Sequence, residues 1–102
     1  MIKSDIINKI CRKLNNLPEH TIASSVNCIL EEISHNLAQN NRIEIRGFGS
    51  FCLHHHAPRD AHNPKTGEKV YTNAKYSPHF KTGKELRDRV NKAKGDYPIQ
   101  ED

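Results

Sequence analysis

Residues 42–51 read RIEIRGFGSF, and this stretch is where the chain changes its period. In "RIEIR" the apolar Ile43 and Ile45 alternate with Arg42, Glu44 and Arg46, a repeat of two that places alternate side chains on opposite faces of a β-strand. Gly47 and Gly49 bracket Phe48, and the run "SFCLHHHA" beyond them is again strand-like, so two short strands meet at "GFG". Backbone without a Cβ also permits another surface to come close there.

Upstream the period is helical. Ile6, Ile7, Ile10, Cys11 and Leu14 recur at a spacing of three to four, which predicts an amphipathic first helix capped by Ser4 or Asp5. Pro18 suits a first helical position, and Ile22, Val26, Ile29, Leu30, Ile33 and Leu37 continue one apolar face to about Gln39, where "QNN" ends a longer second helix.

Downstream, residues 57–69 lose their apolar positions and gather Pro58, Asn63, Pro64 and Gly67, before "KVYTNAKYSPHF" returns as a third strand closed by Pro78. The middle is therefore an extended hairpin arm, about residues 57–72, with no core of its own. Thr82 and Glu85 in "TGKE" have capping-box spacing, and Leu86, Val90 and Ala93 form a short stripe, predicting a basic third helix from Thr82 to Lys94. The expected organisation is one α+β domain over residues 1–94, followed by an acidic, disordered tail over 95–102.

Composition bounds what such a domain can do. Of 102 residues, 34% are hydrophobic and only three Phe and three Tyr are aromatic, so a monomeric core would be thin and a second subunit is expected. Cys11, Cys28 and Cys52 are odd in number and widely spaced, which fits reduced thiols better than a disulfide frame or zinc site. No stretch has the ~20 apolar residues of a membrane span, and "MIKSDIINKICRKL" is unlike a signal peptide, so a soluble, intracellular protein is expected.

Charge is unevenly divided. Residues 1–40 carry four Lys/Arg and four Asp/Glu; residues 41–94 carry twelve against five, a balance of +7; residues 95–102 carry three acids and no base. A basic half beside a neutral one points to a polyanion as partner, and in a cytosol to nucleic acid. The face Lys81, Lys84 and Arg87 adjoins the basic arm, although a solvated surface explains those charges equally well. The same holds for Arg42, Glu44 and Arg46.

Other chemistries find less support. "GFGSFC" has Cys52 where a dinucleotide loop needs its third glycine, and "TGKE" lacks the upstream glycine and following hydroxyl of a phosphate loop, so no nucleotide cofactor is expected. No nucleophile–base pair or paired carboxylates stand at informative spacing, so neither catalytic residues nor a small-molecule substrate is expected. His54, His55 and His56 invite a metal, but only His54 and His56 share a strand face, with His79 or Cys52 as conceivable third ligands. A histidine-rich metal-binding protein stays the alternative of a different class.

Taken together, "RIEIRGFGSF", "NPKTG" (63–67) and "PHFKTGKELRDR" (78–89), in that order behind two helices, resemble the HU and integration host factor family of bacterial DNA-bending proteins, and within it the beta-subunit branch of integration host factor. The resemblance covers residues 1 to about 92. It implies an intertwined dimer with two N-terminal helices, a three-stranded antiparallel sheet extended into a β-hairpin arm, and a short C-terminal helix. The dimer, either a homodimer or a heterodimer with an alpha-type subunit, would act in the bacterial cytoplasm and nucleoid, supporting recombination, replication and transcription regulation. An HU-like, sequence-neutral homodimer that compacts DNA is the alternative inside the family.

By the same resemblance, Pro64 is the wedge that intercalates between base pairs from the minor groove. Glu44 and Arg46, beside Arg42 and Gly47, resemble the pair that recognises part of a preferred site. Arg59, Asn63, Lys65, Lys69 and Lys75 match the DNA-binding arm. Lys81, Lys84 and Arg87 match phosphate contacts on the flank, and Lys3 and Ser4 match a contact at the first helix's N-terminus. Where beta-type relatives have a Tyr-Arg pair and an arm-tip arginine, this chain has His55, His56 and the DNA-facing His62, with Asp60 in the arm and Thr82 at a position where proline is common. Histidine charge varies with pH near neutrality, so affinity is expected to rise as pH falls from about 8 to about 6, with weaker minor-groove recognition than in relatives.

Overall fold

A computed structural model describes residues 1–97, and the expected apolar periods become helices that pack on each other with little between them. Helix α1 spans Lys3–Lys13 and α2 spans Glu19–Ala38. The cap expectation shifts: α1 starts at Lys3, so Ser4 and Asp5 lie inside its first turn, and Asp5 Oδ2 accepts a 2.8 Å bond from the Ile2 amide. Pro18 stands one residue earlier than expected, at the N-cap of α2, where its missing donor removes one orphan amide. The helix ends as "QNN" indicated, with Asn40 at φ +59 and its amide bonded to the Leu37 carbonyl. Asparagine is one of the few side chains that tolerate that left-handed backbone.

The alternating stretch gives β1 (Ile43–Ile45) and β2 (Gly49–His56), and the sheet is completed by β5 (Lys75–Thr82) in the antiparallel order β1-β2-β5. Register runs from Gly49 opposite Thr82 to His56 opposite Lys75. Gly47, at φ +82, turns β1 into β2, and Glu85 Oε2 fills the space any side chain there would need, 2.9 Å from the position of a Cβ. Gly49 is held tighter still, since a Cβ would sit 2.5 Å from the Lys81 carbonyl oxygen.

The expected single third strand is in fact two. β3 (Arg59–His62) and β4 (Lys69–Thr72) form a separate two-stranded arm, and Asn73–Ala74 break β4 from β5 opposite the break at Ala57–Pro58. A proline nitrogen cannot join a ladder, so pairing lapses on both strands at this level. Pro78 does not close a strand: it lies within β5 opposite Leu53, and β5 is an edge strand, the place where a missing donor is tolerated. The capping box also fails. Thr82 is still paired in the ladder with Gly49, α3 begins later and spans Lys84–Ala93, and Gly83 is its N-cap without a side-chain bond.

Among the described residues only Ile7, Ile22 and Leu37 are buried apolar side chains, supplemented by a cluster in which the Phe48 and Phe51 rings meet Phe80 at 5.3 and 4.8 Å. The predicted apolar face of α2 is partly uncovered, with Ile29 60% and Leu30 46% exposed. The chain has a radius of gyration of 18.9 Å, against about 13 Å for a closed domain of this length. Its 9153 Å² of accessible surface compares with about 5,900 Å² for a folded monomer of 11.7 kDa. No described helix is long and apolar enough to cross a membrane. Of the expected tail, Gly95–Tyr97 turn back so that the Asp96 and Tyr97 amides reach the Ala93 carbonyl, and 98–102 lie outside the described residues.

Gly49→Ala is therefore expected to lower stability by about 1–3 kcal/mol in a denaturant titration, because the backbone of β5 has no room to yield. Gly95→Ala, with nothing within 4 Å of its Cβ position, is expected to stay within about 0.5 kcal/mol.

Candidate functional site

Register divides the sheet into two chemically different faces. Phe51, Leu53 and His55 share the inner face with Phe80, Pro78 and Tyr76, and Leu53, Tyr76 and Pro78 border the same hollow as Leu37 and Ala38 of α2. The opposite parity sends Ser50, Cys52, His54 and His56 outward, against Lys81, His79, Ser77 and Lys75. The outer face is polar and cationic because the register places the large apolar side chains of both strands on the other side.

At one end of this face a shallow groove brings together Arg42, Glu44, Arg46, Ser50 and Lys81. Arg42 and Arg46 flank β1 and lie outside it, Arg46 in the turn that follows, a correction to the expected three-residue strand face, yet both still line the groove. Arg42 Nη2 meets Glu44 Oε1 at 2.8 Å with both side chains exposed. Such a pair contributes about 1 kcal/mol at most, so its guanidinium and carboxylate are easily redirected to a ligand. Gly47, with Glu85 behind it, keeps the turn low beside them.

Farther along, the histidine run resolves by alternation. His54 stacks on His79 with centroids 4.1 Å apart and rings 16° from parallel, His56 Nε2 lies 2.7 Å from Ser77 Oγ, and His55 turns inward against Tyr76. Cys52 stands opposite His79. Among the described residues no three His, Cys, Asp or Glu side chains converge as metal ligands would. The sequence offered His79 only as a conceivable metal ligand beside His54 and His56, and the structure brings it against His54 as a ring stack; the Ser77 partner was not foreseen, and the β2–β5 register fixes which of the many histidines are neighbours.

The arm ends in a closed turn. Asn63 Oδ1 accepts from the Lys65 amide at 2.9 Å, the Gly67 amide reaches the Asn63 carbonyl at 2.8 Å, and the Asn63 amide reaches the Glu68 carbonyl at 2.7 Å. Pro64 stands exposed at the first corner of this turn, so its ring is held by neighbours that are themselves fixed. Behind it the strands sort their side chains: Arg59 shares a face with Ala61, Val70 and Thr72, while His62 and Lys69 share the other with Asp60 and Tyr71. Val70 and Tyr71 are 48% and 63% exposed, apolar surface that the arm itself has nothing to cover.

The remaining candidates sit on separate elements. Lys84 and Arg87 lie on the first turn of α3, whose Gly83 cap follows Lys81 and Thr82 directly. Lys3 donates from Nζ to Asn27 Oδ1 at 2.8 Å, tying the start of α1 to α2, with Ser4 exposed beside it. Cations on a sheet groove, an arm and two helix starts, none of them buried, make a dispersed anion-binding surface, not an enclosed pocket.

Comparison with known proteins agrees with this surface. Residues 1–91 match the family described as bacterial DNA-binding protein. The chain is 53% identical over 91 residues to the integration host factor subunit beta of Escherichia coli O127:H6, covering 89% of this chain and 97% of that relative, and equally identical to the subunit beta of Shigella boydii serotype 18. Its fold is similar to that of HU from Anabaena in a cocrystal with DNA, with a TM-score of 0.79, 28% identity and coverage of 88% of this chain and 97% of that one. HU from Thermotoga maritima is similar at a TM-score of 0.60 and 26% identity, over 88% of this chain and 98% of that one.

Asn63→Ala removes the side-chain acceptor for the Lys65 amide without touching the core. Hydrogen exchange is expected to show faster exchange at Lys65 while global unfolding moves by less than about 0.5 kcal/mol.

Proposed function

The chain belongs to the family of bacterial DNA-binding proteins, and from that premise we propose that it bends double-stranded DNA by inserting Pro64 between base pairs from the minor groove. The observation that carries this reading is the arm tip, where hydrogen bonds on both sides of Pro64 hold an exposed apolar ring at the end of a cationic hairpin. A proline suits the task. It is rigid and compact, and it lacks the N–H that would be left unpaired inside a base stack.

Proteins of this family are themselves the standard case of minor-groove architectural binding, and the few kcal/mol attached to unstacking a step is a general value for them, not one obtained from this chain. Bending a site adds roughly 1–10 kcal/mol. Phosphate contacts from Arg59, Lys65, Lys69 and Lys75 of the arm offset this, as do those from Lys81, Lys84 and Arg87 of the flank and Lys3 and Ser4 of the first helix. Arg46, Glu44 and Arg42, beside Gly47, read part of the site from their groove, and Asn63 and His62 complete the tip. The protein binds and shapes DNA without catalysing a reaction. It acts in the cytoplasm on the nucleoid, where bent DNA serves recombination, replication and transcription regulation.

The working unit is a dimer. One chain exposes roughly half as much surface again as a folded monomer should, including Ile29, Leu30 and Phe48, and a second subunit would cover it. Likeness to proteins called subunit beta supports an alpha-type partner, while a second copy of this chain would meet the same physical need. Residues 1–94 form the DNA-bending domain.

Fluorescence transfer between dyes at the two ends of a duplex tests the wedge. The intact protein is expected to bring the ends together, and Pro64→Ala to relax the bend while retaining binding; an equally tight bend in the variant would refute intercalation. Affinity should also fall by roughly 10³- to 10⁵-fold between about 50 and 200 mM salt if ~6 to 10 phosphates are neutralised. A flat salt titration would rule that out.

A further inference from the structure

The turn between β1 and β2 carries Arg46, and what holds that turn is the junction between β5 and α3. Arg46 and Gly47 are its central residues, closed by the Phe48 amide on the Ile45 carbonyl at 3.0 Å. Residues 47, 48 and 49 are then met by alternate residues of the junction. Gly49 sits against the Lys81 carbonyl, the Gly83 amide donates to the Phe48 carbonyl at 2.8 Å, and Glu85 lies over Gly47. The three heavy atoms nearest the Gly47 Cβ position all belong to Glu85, with Oε2 at 2.9 Å, Cδ at 3.6 Å and Oε1 at 3.9 Å.

A carboxylate among Lys81, Lys84 and Arg87 repels the phosphates those cations attract, so neutralising the DNA backbone leaves Glu85 without a use. We propose that Glu85 is a positioning residue for sequence readout: the end of its side chain braces the Gly47 turn and so sets where the Arg46 guanidinium enters the duplex. This rests on reading Arg42, Glu44 and Arg46 as the groove that recognises part of a site, and adds to it a residue that acts through the turn and not through contact with DNA.

Arg46 needs such support. It is exposed and, among the described residues, has no ion pair, whereas Arg42 is held by Glu44. Its aim is therefore set through its own backbone, and the next residue is a glycine at φ +82, the residue type with the most conformational freedom. A side chain that discriminates a base edge must be held within about 0.5 Å of its productive position. Atoms packed on Gly47 restrict the swing of the turn. Phosphate contacts draw on a diffuse charge and tolerate that swing.

Gly83 completes the brace. Its amide holds Phe48, and its carbonyl accepts the Arg87 amide at 3.1 Å, so one residue joins the turn to the start of α3. A side chain would crowd this contact, since a Cβ at Gly83 would stand 3.2 Å from the Phe48 carbonyl oxygen.

Selection by the full-length protein from a pool of duplexes with one randomised segment, followed by sequencing, tests the assignment. Arg46→Ala first defines which positions of the selected site the groove reads. At those positions Glu85→Ala and Glu85→Asp, both too short to reach Gly47, are expected to lose discrimination several-fold, up to the roughly 5- to 150-fold that one misread base pair costs. Glu85→Gln keeps the reach without the charge and should keep the preference. Affinity for a duplex without the selected site should not fall in Glu85→Ala, because a negative charge has been removed. Discrimination kept in either short variant, or lost equally in Glu85→Gln, would overturn the proposal. Should Glu85→Ala fold poorly, Glu85→Asp carries the test, since it retains the acid in the first turn of α3. A wild type that selects no sequence, or an Arg46→Ala variant that selects the same one, sinks the groove reading itself, a result the same selection separates from failure of the brace alone.

Discussion

The ladder between β2 and β5 is the constraint from which the other features follow. Its eight-residue register leaves Gly49 pressed against the Lys81 carbonyl at one end and ties His56 to Lys75 at the other. Because successive side chains point to opposite faces, that single register decides two surfaces at once. Phe51, Leu53, Phe80 and Pro78 go to the helices, and Ser50, His54, His79 and Lys81 go outward. A slip of one residue would exchange them, burying imidazoles and lysines and exposing the phenyl rings. The close approach at Gly49 opposes that slip, since no other residue fits there.

What the ladder does not provide is a closed core. Three buried aliphatic side chains and a cluster of three phenyl rings among the described residues are little for a chain of this length, and Ile29 and Leu30 of α2's apolar stripe are left facing water. A surface half again larger than a monomer's is stable only if another subunit covers part of it, so oligomerisation and folding are linked here in a way they are not in a self-sufficient domain. The same economy frees the opposite face. With apolar surface committed to helices and partner, the outer sheet and the arm are left to charged and polar residues.

The arm is a different solution to the problem of exposed structure. A two-stranded hairpin with no sheet behind it is marginal in water. Here it is closed at the tip by the Asn63, Lys65, Gly67 and Glu68 bonds and interrupted at its base by Pro58 and by Asn73–Ala74. The hydrogen-bonded tip fixes the backbone on both sides of the exposed Pro64, and the break at the base separates the arm's ladder from that of the three-stranded sheet.

Much of this was legible in the residues. The switch from a period of 3.6 to one of 2 at "RIEIR", the glycines of "GFG", the asparagines ending α2 and the unsupported "NPKTG" are local signals, and each is decided by a few neighbouring φ/ψ preferences. The readings that missed are those in which a distant partner outvoted a local rule. Thr82 and Glu85 have the spacing of a capping box, but Gly49 holds Thr82 in the ladder; Pro78 should end a strand, but at a sheet edge its missing donor is tolerated; Arg46 alternates like a strand residue, but Gly47 takes it into the turn. The imidazole stack belongs to the same class, because no spacing along the chain says that positions 54 and 79 are neighbours. Sequence by itself determined the helical and strand-forming stretches and the uneven charge, whose causes lie within a few bonds; which histidines meet and which apolar residues stay uncovered were decided only by tertiary register, because those are relations between residues far apart in the chain.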